Sequence, residues 1–139
     1  MSAEFFIDTN ILAYTFDRSD QPKRERASAL VREALKGAGC LSWQVVQEFC
    51  NIALRKFREP LGSDELREYQ EVVLFPLCTV WPNEAFYRET LTIKSETGFS
   101  WYDSLVVVSA LRAGCGILYS EDLQHGRIYR GMRIVDPFR

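Results

Sequence analysis

Apolar residues occur along this chain in two alternating patterns. Short apolar-rich runs predict β-strands at 3–7, 39–42, 77–81, 117–119 and near 133–135. Longer stretches, with apolar residues three or four positions apart, predict helices at 11–16, 22–36, 43–57, 63–74, 83–97 and 101–113. Strands that alternate with helices long enough to connect parallel neighbours predict an α/β fold. We therefore expect three layers, α/β/α, around a central and mainly parallel β-sheet.

Residues typical of helix ends support this division of the chain. Asn10 is predicted to cap the first helix, and Ser42 the third, because both side chains can accept a hydrogen bond from a free backbone N–H. Gly37 is predicted to end the second helix. Pro76 is predicted to end the helix at 63–74, before the third strand begins.

Size and charge limit what the protein can do. A chain of 139 residues fits one domain, 1–139, and a net charge of −2 argues against binding nucleic acid by bulk positive charge. Small basic clusters could still hold a phosphate backbone locally, although each taken alone is typical of a solvated surface. These clusters are Lys23 with Arg24 and Arg26, Arg55 with Lys56 and Arg58, and Arg127 with Arg130 and Arg133.

The cysteines and the N-terminal residues indicate a cytoplasmic protein. Cys40, Cys50, Cys78 and Cys115 form no C-x-x-C pair and have apolar neighbours, so we expect reduced thiols in the core. The chain has no signal-peptide pattern, and no apolar stretch approaches the roughly 18 residues that a membrane span needs. We therefore expect no membrane association.

Two acidic residues directly follow predicted strands. Asp8 ends the first strand and Asp122 comes shortly after the fourth. Ligand sites in open parallel sheets form outside the carboxyl ends of the strands, so both side chains are expected at one rim of the sheet. The alternative is structural, because an acid in this position often caps the next helix or forms an Asx-turn.

Two more acids are expected near the same rim. Asp103 begins a helix and faces its apolar side, where a carboxylate needs a hydrogen-bonding partner or a cation. It also stands at capping-box spacing from Ser100, which is the structural alternative. Glu48 lies at the border of an apolar stripe, one turn into the helix that follows the second strand. Taken alone, Glu48 is typical of a solvated helix flank.

Four carboxylates that meet in one place repel one another unless cations neutralise them. Mg²⁺ or Mn²⁺ suits an all-oxygen set, whereas the single histidine, His125, and the scattered cysteines cannot build a zinc site. A hard divalent ion in such a set favours phosphodiester hydrolysis by an activated water.

As an ordered set, these residues resemble the PIN-domain family, and within it the small VapC-type toxins of toxin-antitoxin pairs. The resemblance covers nearly the whole chain and rests on four short segments. These are Asp8-Thr9-Asn10 after the first strand, Glu48 within 45–49, Asp103 within 102–105, and Asp122 within 120–123.

The resemblance implies roles for these residues. Asp8, Glu48, Asp103 and Asp122 match the family's acidic metal ligands, and Thr9, Asn10 and Ser120 match residues that support the site, with serine at 120 where the family more often has threonine. Glu121 leaves open which of two adjacent acids points inward. The implied activity is RNA cleavage with Mg²⁺ or Mn²⁺, leaving 5′-phosphate and 3′-hydroxyl ends. The implied partners are a second copy in a homodimer and a VapB-like antitoxin that keeps the enzyme inactive.

Other functions remain as alternatives. A haloacid-dehalogenase-like phosphatase would use Asp8 as a nucleophile, but it needs an aspartate where Asn10 stands. A serine nucleophile elbow, a P-loop and a dinucleotide-binding glycine motif are absent. A housekeeping RNA-processing nuclease and a non-catalytic RNA-binding domain stay open. Trp43, Trp101 and Tyr102 could stack bases, but aromatic residues at helix starts are more often core anchors, and we assign them no role.

Overall fold

The computed structural model describes residues 3–139, and one β-sheet runs through them. Its six strands are β1 (Phe5–Ile7), β2 (Gly39–Ser42), β3 (Cys78–Val80), β4 (Ile117–Tyr119), β5 (Ile128–Tyr129) and β6 (Met132–Val135). They lie in the order β3-β2-β1-β4-β6-β5. Neighbouring strands are parallel except β5 and β6, which form an antiparallel pair at one edge.

Helices connect the strands and complete the fold. They are α1 (Thr9–Tyr14), α2 (Gln21–Glu33), α3 (Trp43–Arg55), α4 (Ser63–Tyr69), α5 (Phe75–Leu77), α6 (Glu84–Thr97) and α7 (Trp101–Arg112). Short π-helical segments, Ala34–Ala38 and Gln70–Leu74, extend α2 and α4. The mostly parallel sheet with its helices confirms the predicted three-layer α/β/α class.

The central strands are covered on both faces. All three residues of β1, Phe5, Phe6 and Ile7, are buried, and successive side chains of a strand point to opposite faces. Leu118 in β4 and Ile134 in β6 are likewise fully buried. Continuous apolar runs are therefore stable here because helices exclude water from each side of the sheet.

Two glycines form the tight connection between the π-helical extension of α2 and strand β2. Gly37 has a φ of 111°, a left-handed conformation that glycine adopts without steric cost, and it ends the helical segment. At Gly39 a Cβ atom would lie 2.6 Å from both Ala34 Cβ and Phe5 Cε2. A larger residue at 39 would separate this turn from β1.

The structure corrects the prediction for Pro76. The predicted helix does not end before this proline, because the chain passes through the π-helical segment Gln70–Leu74 directly into α5, which contains Pro76 at its second position. The last π-helical hydrogen bond runs from Phe75 N–H to the Gln70 carbonyl, so Pro76 lies just beyond it, in the first turn of α5, where proline is tolerated.

Two predicted helix caps, Asn10 and Ser42, are wrong, and one strand was missed. Asp8, not Asn10, occupies the N-cap of α1, and Asn10 lies inside that helix. The antiparallel strand β5 was not predicted, because its two residues, Ile128 and Tyr129, are too few to show a periodic pattern. Ser42 does stand at the start of α3, but its side chain makes no capping bond.

The cysteines lie where the sequence placed them. All four carry free thiols. Cys40 and Cys115 are buried, with their sulfur atoms 3.7 Å apart, while Cys50 and Cys78 are partly buried. No helix within residues 3–139 has both the length and the apolar character needed to cross a membrane.

Candidate active site

Asp8, Glu48, Asp103 and Asp122 line one cleft, which we call the acidic cleft. Its volume is about 100 Å³. Asp8 follows β1, Glu48 lies in α3 after β2, Asp103 lies in the first turn of α7, and Asp122 follows β4. Since β1, β2 and β4 are parallel neighbours, their carboxyl ends share one edge of the sheet. The structure thus brings together all four acids selected from the sequence.

Asp8 is the most buried of the four, with 8% of its surface exposed. Both carboxylate oxygens are hydrogen-bonded: Thr9 N–H donates to Oδ1 at 2.7 Å, and Ser120 Oγ donates to Oδ2 at 2.8 Å. The pKa of Asp8 is raised to about 6, mainly by burial of the carboxyl group and also by the charges of Glu48 and Asp122, whereas the two hydrogen bonds lower it.

Glu48 is held by the residue that follows Asp8. Thr9 Oγ1 donates a hydrogen bond to Glu48 Oε1 at 3.0 Å, so α1 and α3 are joined across the cleft. The pKa of Glu48 is raised, first by loss of solvent around the carboxyl group and then by the charge of Asp103; the Thr9 hydrogen bond lowers it. Glu48 is therefore part of the same electrostatic group, although as a residue it is more exposed than Asp8.

Asp103 takes part in capping α7 and also lines the acidic cleft, so both interpretations made from the sequence apply to it. Its backbone N–H donates to Ser100 Oγ at 3.1 Å, which is one half of a capping box. Its carboxylate is partly buried and lines the acidic cleft. Partial burial raises the pKa of Asp103, the Ser100 contact lowers it, and the charge of Asp122 raises it.

Asn10 orients the loop after β4. Its Nδ2 donates to Asp122 Oδ2 at 3.0 Å, and its Oδ1 accepts from Glu121 N at 3.3 Å. Ser120 Oγ also accepts from Asp122 N at 3.3 Å while donating to Asp8. Thr9, Asn10 and Ser120 therefore all support the acidic residues by direct hydrogen bonds.

Glu121 points away from the acidic cleft. Tyr14 Oη donates to its Oε1 at 2.6 Å, and Lys23 Nζ contacts its Oε2 at 2.6 Å. Burial alone would raise the pKa of Glu121, but Lys23 and Tyr14 hold it below its usual range. Of the two adjacent acids, Asp122 is therefore the one that faces the site. No pattern in the sequence had indicated Tyr14, and Lys23 had been noted only as part of a basic cluster.

Some basic side chains of two predicted clusters are engaged within the molecule. Lys23 is paired with Glu121. Arg130 contacts Glu96 at 3.2 Å and Glu89 at 3.6 Å. These contacts agree with the interpretation of Lys23 and Arg130 as ordinary surface groups.

Gln44 and Tyr102 also line the acidic cleft, and the sequence had given neither of them a role. Gln44 is 5% exposed and its Nε2 donates to the carbonyl oxygen of Tyr102 at 3.3 Å. Its Oε1 has no hydrogen-bond partner among residues 3–139. Because the Tyr102 carbonyl can only accept, the amide orientation is fixed and the buried atom left over is an acceptor.

The donor set of the cleft fits a hard divalent cation that keeps part of its water. Within residues 3–139, no three acidic, histidine or cysteine side chains are close enough to hold an ion directly between them. The volume of about 100 Å³ leaves room for bridging waters, and Mg²⁺ normally retains several. Carboxylates that raise one another's pKa are also a group whose charge a cation would stabilise.

The protein is therefore an α/β protein with an acidic cleft at the carboxyl edge of its parallel sheet. Comparison with known proteins identifies its family. The PIN domain family matches residues 5–131, so the chain belongs to the PIN domain family. PIN domains are generally nucleases.

Solved structures share the fold at low sequence identity. FitAcB from Neisseria gonorrhoeae has a TM-score of 0.62 and 17% identity, covering 96% of this chain and 98% of its own. FitAB bound to an IR36 DNA fragment has a TM-score of 0.62 and 17% identity, covering 97% of this chain and 96% of its own. No curated protein matches the sequence.

Proposed function

We propose that the protein is a Mg²⁺- or Mn²⁺-dependent endoribonuclease that acts as a VapC-like toxin and is inhibited by a VapB-like antitoxin. One observation carries the proposal: Asp8, Glu48, Asp103 and Asp122 come from four separate elements and line a single cleft. Membership of a family that consists generally of nucleases supports it.

The four carboxylates would hold the metal, in part through waters that the ion retains. A divalent ion there would supply an activated water for in-line attack on a phosphodiester and would offset charge on the phosphoryl oxygens and the leaving group. We expect products with 5′-phosphate and 3′-hydroxyl ends, as the resemblance to VapC-type toxins implies.

The surrounding residues prepare the carboxylates for this task. Thr9 N–H and Ser120 Oγ each bind one oxygen of Asp8, which fixes its plane and favours its ionised form. Thr9 and Asn10 hold Glu48 and Asp122 from α1. Because α1 thereby contacts three of the four acids, its position sets the geometry of the cleft.

RNA is the substrate that we assign to this chain, on the basis of the VapC resemblance. The FitAB structure contains a DNA fragment, and that ligand belongs to the FitAB assembly. Cleavage assays on RNA and DNA strands of the same sequence therefore decide the substrate.

An antitoxin has two features of this surface to recognise. The acidic cleft attracts a cationic segment. A separate groove of about 290 Å³ joins the apolar side chains of Phe16, Leu61 and Val72 to the carboxylates of Glu65 and Glu68. An amphipathic antitoxin segment with basic residues beside its apolar ones fits this groove in both polarity and charge. We further propose that the toxin is a homodimer in a cytoplasmic complex with this partner.

A metal titration tests the nuclease. End-labelled single-stranded RNA is incubated with the protein and increasing Mn²⁺, and we expect cleavage that requires the ion and is lost in Asp103→Asn. Asp64→Asn is the matched control, because Asp64 is an exposed acid at the start of another helix. RNA binding without metal-dependent products would instead indicate a non-catalytic RNA-binding domain.

A second experiment separates a toxin from a housekeeping nuclease. Induced expression of the wild-type protein in a bacterial host is expected to arrest growth, whereas Asp8→Asn is not. Coexpression of a small protein encoded immediately upstream should restore growth and copurify with the chain. Growth unaffected by an active nuclease would favour the housekeeping role.

A further inference from the structure

Aromatic residues in the first turns of α3 and α7 differ in what surrounds their rings. Trp43 packs edge-on against Phe86, with ring centroids 5.0 Å apart. Trp101 stacks on Tyr87 at 6.3 Å with an interplanar angle of 13°. Both are core anchors. Tyr102 is 66% exposed, and within residues 3–139 neither a ring nor a cation packs on it.

Tyr102 borders the acidic cleft. Tyr102 lines this cleft beside Asp103, its neighbour in the chain. Its carbonyl oxygen accepts the hydrogen bond from the buried side chain of Gln44, which fixes the backbone from which the ring extends. A large aromatic surface is thus left in water at the edge of the candidate metal site, on an anchored backbone.

The chemistry of the cleft determines which part of a nucleic acid it attracts. Its four carboxylates suit a hydrated divalent ion and the phosphoryl oxygens that such an ion binds. A phosphodiester bound through these oxygens carries its sugars and bases on the side away from the ion. Tyr102 lines the cleft and is largely exposed, so it is placed to meet one of these bases.

We propose that Tyr102 stacks on a nucleobase next to the cleaved phosphodiester and is the residue through which this chain favours unpaired RNA over a duplex. This inference rests on the proposed function. A base in a duplex is already stacked on both faces, whereas an unpaired base can leave its neighbours and lie on an aromatic side chain. Stacking tolerates any base, because every base has a π-face. Tyr102 is therefore expected to favour single-stranded over double-stranded RNA without distinguishing one base from another.

Cleavage kinetics with three variants test the proposal. Wild type, Tyr102→Ala and Tyr102→Phe are compared on a single-stranded RNA and on the same RNA in a duplex, with saturating Mn²⁺. We expect Tyr102→Ala to lower kcat/KM on the single strand by about 5- to 150-fold, the range for one lost base stack, mainly through KM. Tyr102→Phe keeps the ring and is expected to resemble the wild type, which should cleave the duplex poorly.

Trp81→Ala is the matched control, because Trp81 is also 66% exposed but does not line the cleft. Its kinetics should equal those of the wild type. The Mn²⁺ concentration needed for half-maximal thermal stabilisation should be unchanged in Tyr102→Ala, which shows an intact fold and metal site. An RNA with an abasic nucleotide beside the cleavage position should lower kcat/KM for the wild type. It should not lower kcat/KM for Tyr102→Ala any further.

Equal cleavage of the single strand by wild type and Tyr102→Ala would overturn the stacking role, as would equal cleavage of duplex and single strand by the wild type. If the wild type cleaves neither RNA, the nuclease proposal fails, and equilibrium binding of a fluorescent single strand then decides the inference. Binding that Tyr102→Ala weakens supports stacking without catalysis. Binding that is absent or unaffected by the substitution overturns stacking as well.

Discussion

Asn10 and Asp122, 112 positions apart in the chain, are joined by a hydrogen bond of 3.0 Å from Nδ2 to Oδ2. The same amide accepts from the backbone of Glu121, whose side chain turns toward Tyr14 and Lys23. Asn10 therefore holds Asp122 toward the cleft, while Tyr14 and Lys23 hold the adjacent Glu121 away from it.

This arrangement predicts opposite results for two conservative substitutions in the same loop. Asp122→Asn should reduce metal-dependent cleavage by at least about 100-fold, because it removes one charge that binds the ion. Glu121→Gln should retain most of the activity, since that side chain points away from the cleft. Cleavage rates under saturating RNA and Mn²⁺ check both. Loss of activity in Glu121→Gln, with a normal melting temperature, would contradict this assignment.

Ser120→Ala should change the pH dependence of the enzyme. The buried hydroxyl of Ser120 donates to Asp8 and lowers the pKa of that carboxyl, so its removal should raise the pKa further. Activity that depends on ionised Asp8 should then appear only at higher pH than in the wild type. We also expect a stability loss of about 1–3 kcal/mol, the cost of an unsatisfied buried polar group.

Ser120→Thr is the matched control, because threonine keeps the hydroxyl. Its pH–rate profile should stay close to that of the wild type. If Ser120→Ala has the wild-type profile, the hydroxyl does not tune Asp8.

The sequence was sufficient to predict five of the six strands and the convergence of the acids for a simple physical reason. Buried strands appear as apolar runs, and the carboxyl ends of parallel strands must share an edge, so Asp8 and Asp122 could be placed without knowing any contact. Asp103 was recognised from its position on the apolar side of a helix. These arguments need only the spacing of apolar residues in each helix or strand and the direction in which each strand runs.

The parts that sequence patterns missed depend on long-range packing. Gln44 is an ordinary residue for a helix start until α7 places the Tyr102 carbonyl beside it. The direction of Glu121 is set by Lys23, 98 positions away, and could not be derived from the loop itself. Asparagine is a common N-cap residue, but the N-cap of α1 is Asp8, two residues before Asn10.

Relief of repulsion predicts that Asp103→Asn stabilises the metal-free protein. The partly buried carboxylate lies near Asp122, whose charge raises the pKa of Asp103, so removing the charge of Asp103 should raise the melting temperature without metal. With Mn²⁺ the order should reverse, because the variant lacks one group that binds the ion. Asp64→Asn, at an exposed acid, should show neither effect. A lower melting temperature of metal-free Asp103→Asn would mean that the carboxylate stabilises α7 more than it repels its neighbours.

The raised pKa of Asp8 leads us to expect that the stability of the metal-free protein varies with pH. Its pKa is about 6 in the folded state against 3.8 for the ordinary carboxyl, so the folded protein binds this proton more tightly than the unfolded chain. The resulting stabilisation is fully present below about pH 4 and is lost as the pH rises through about 6. At 1.36 kcal/mol per pH unit, the loss is at most about 3 kcal/mol.

Urea unfolding of metal-free wild type and Asp8→Asn, at several pH values between about 4 and 7, measures this loss. The free energy of unfolding of the variant should exceed that of the wild type by an amount that grows with pH, because asparagine carries no charge to bury. Mn²⁺ added at neutral pH should restore stability to the wild type and much less to the variant, since ionised Asp8 is the group that the cation neutralises. Parallel pH dependences of the two proteins would show that Asp8 does not titrate in this range and that its burial costs less than the structure implies.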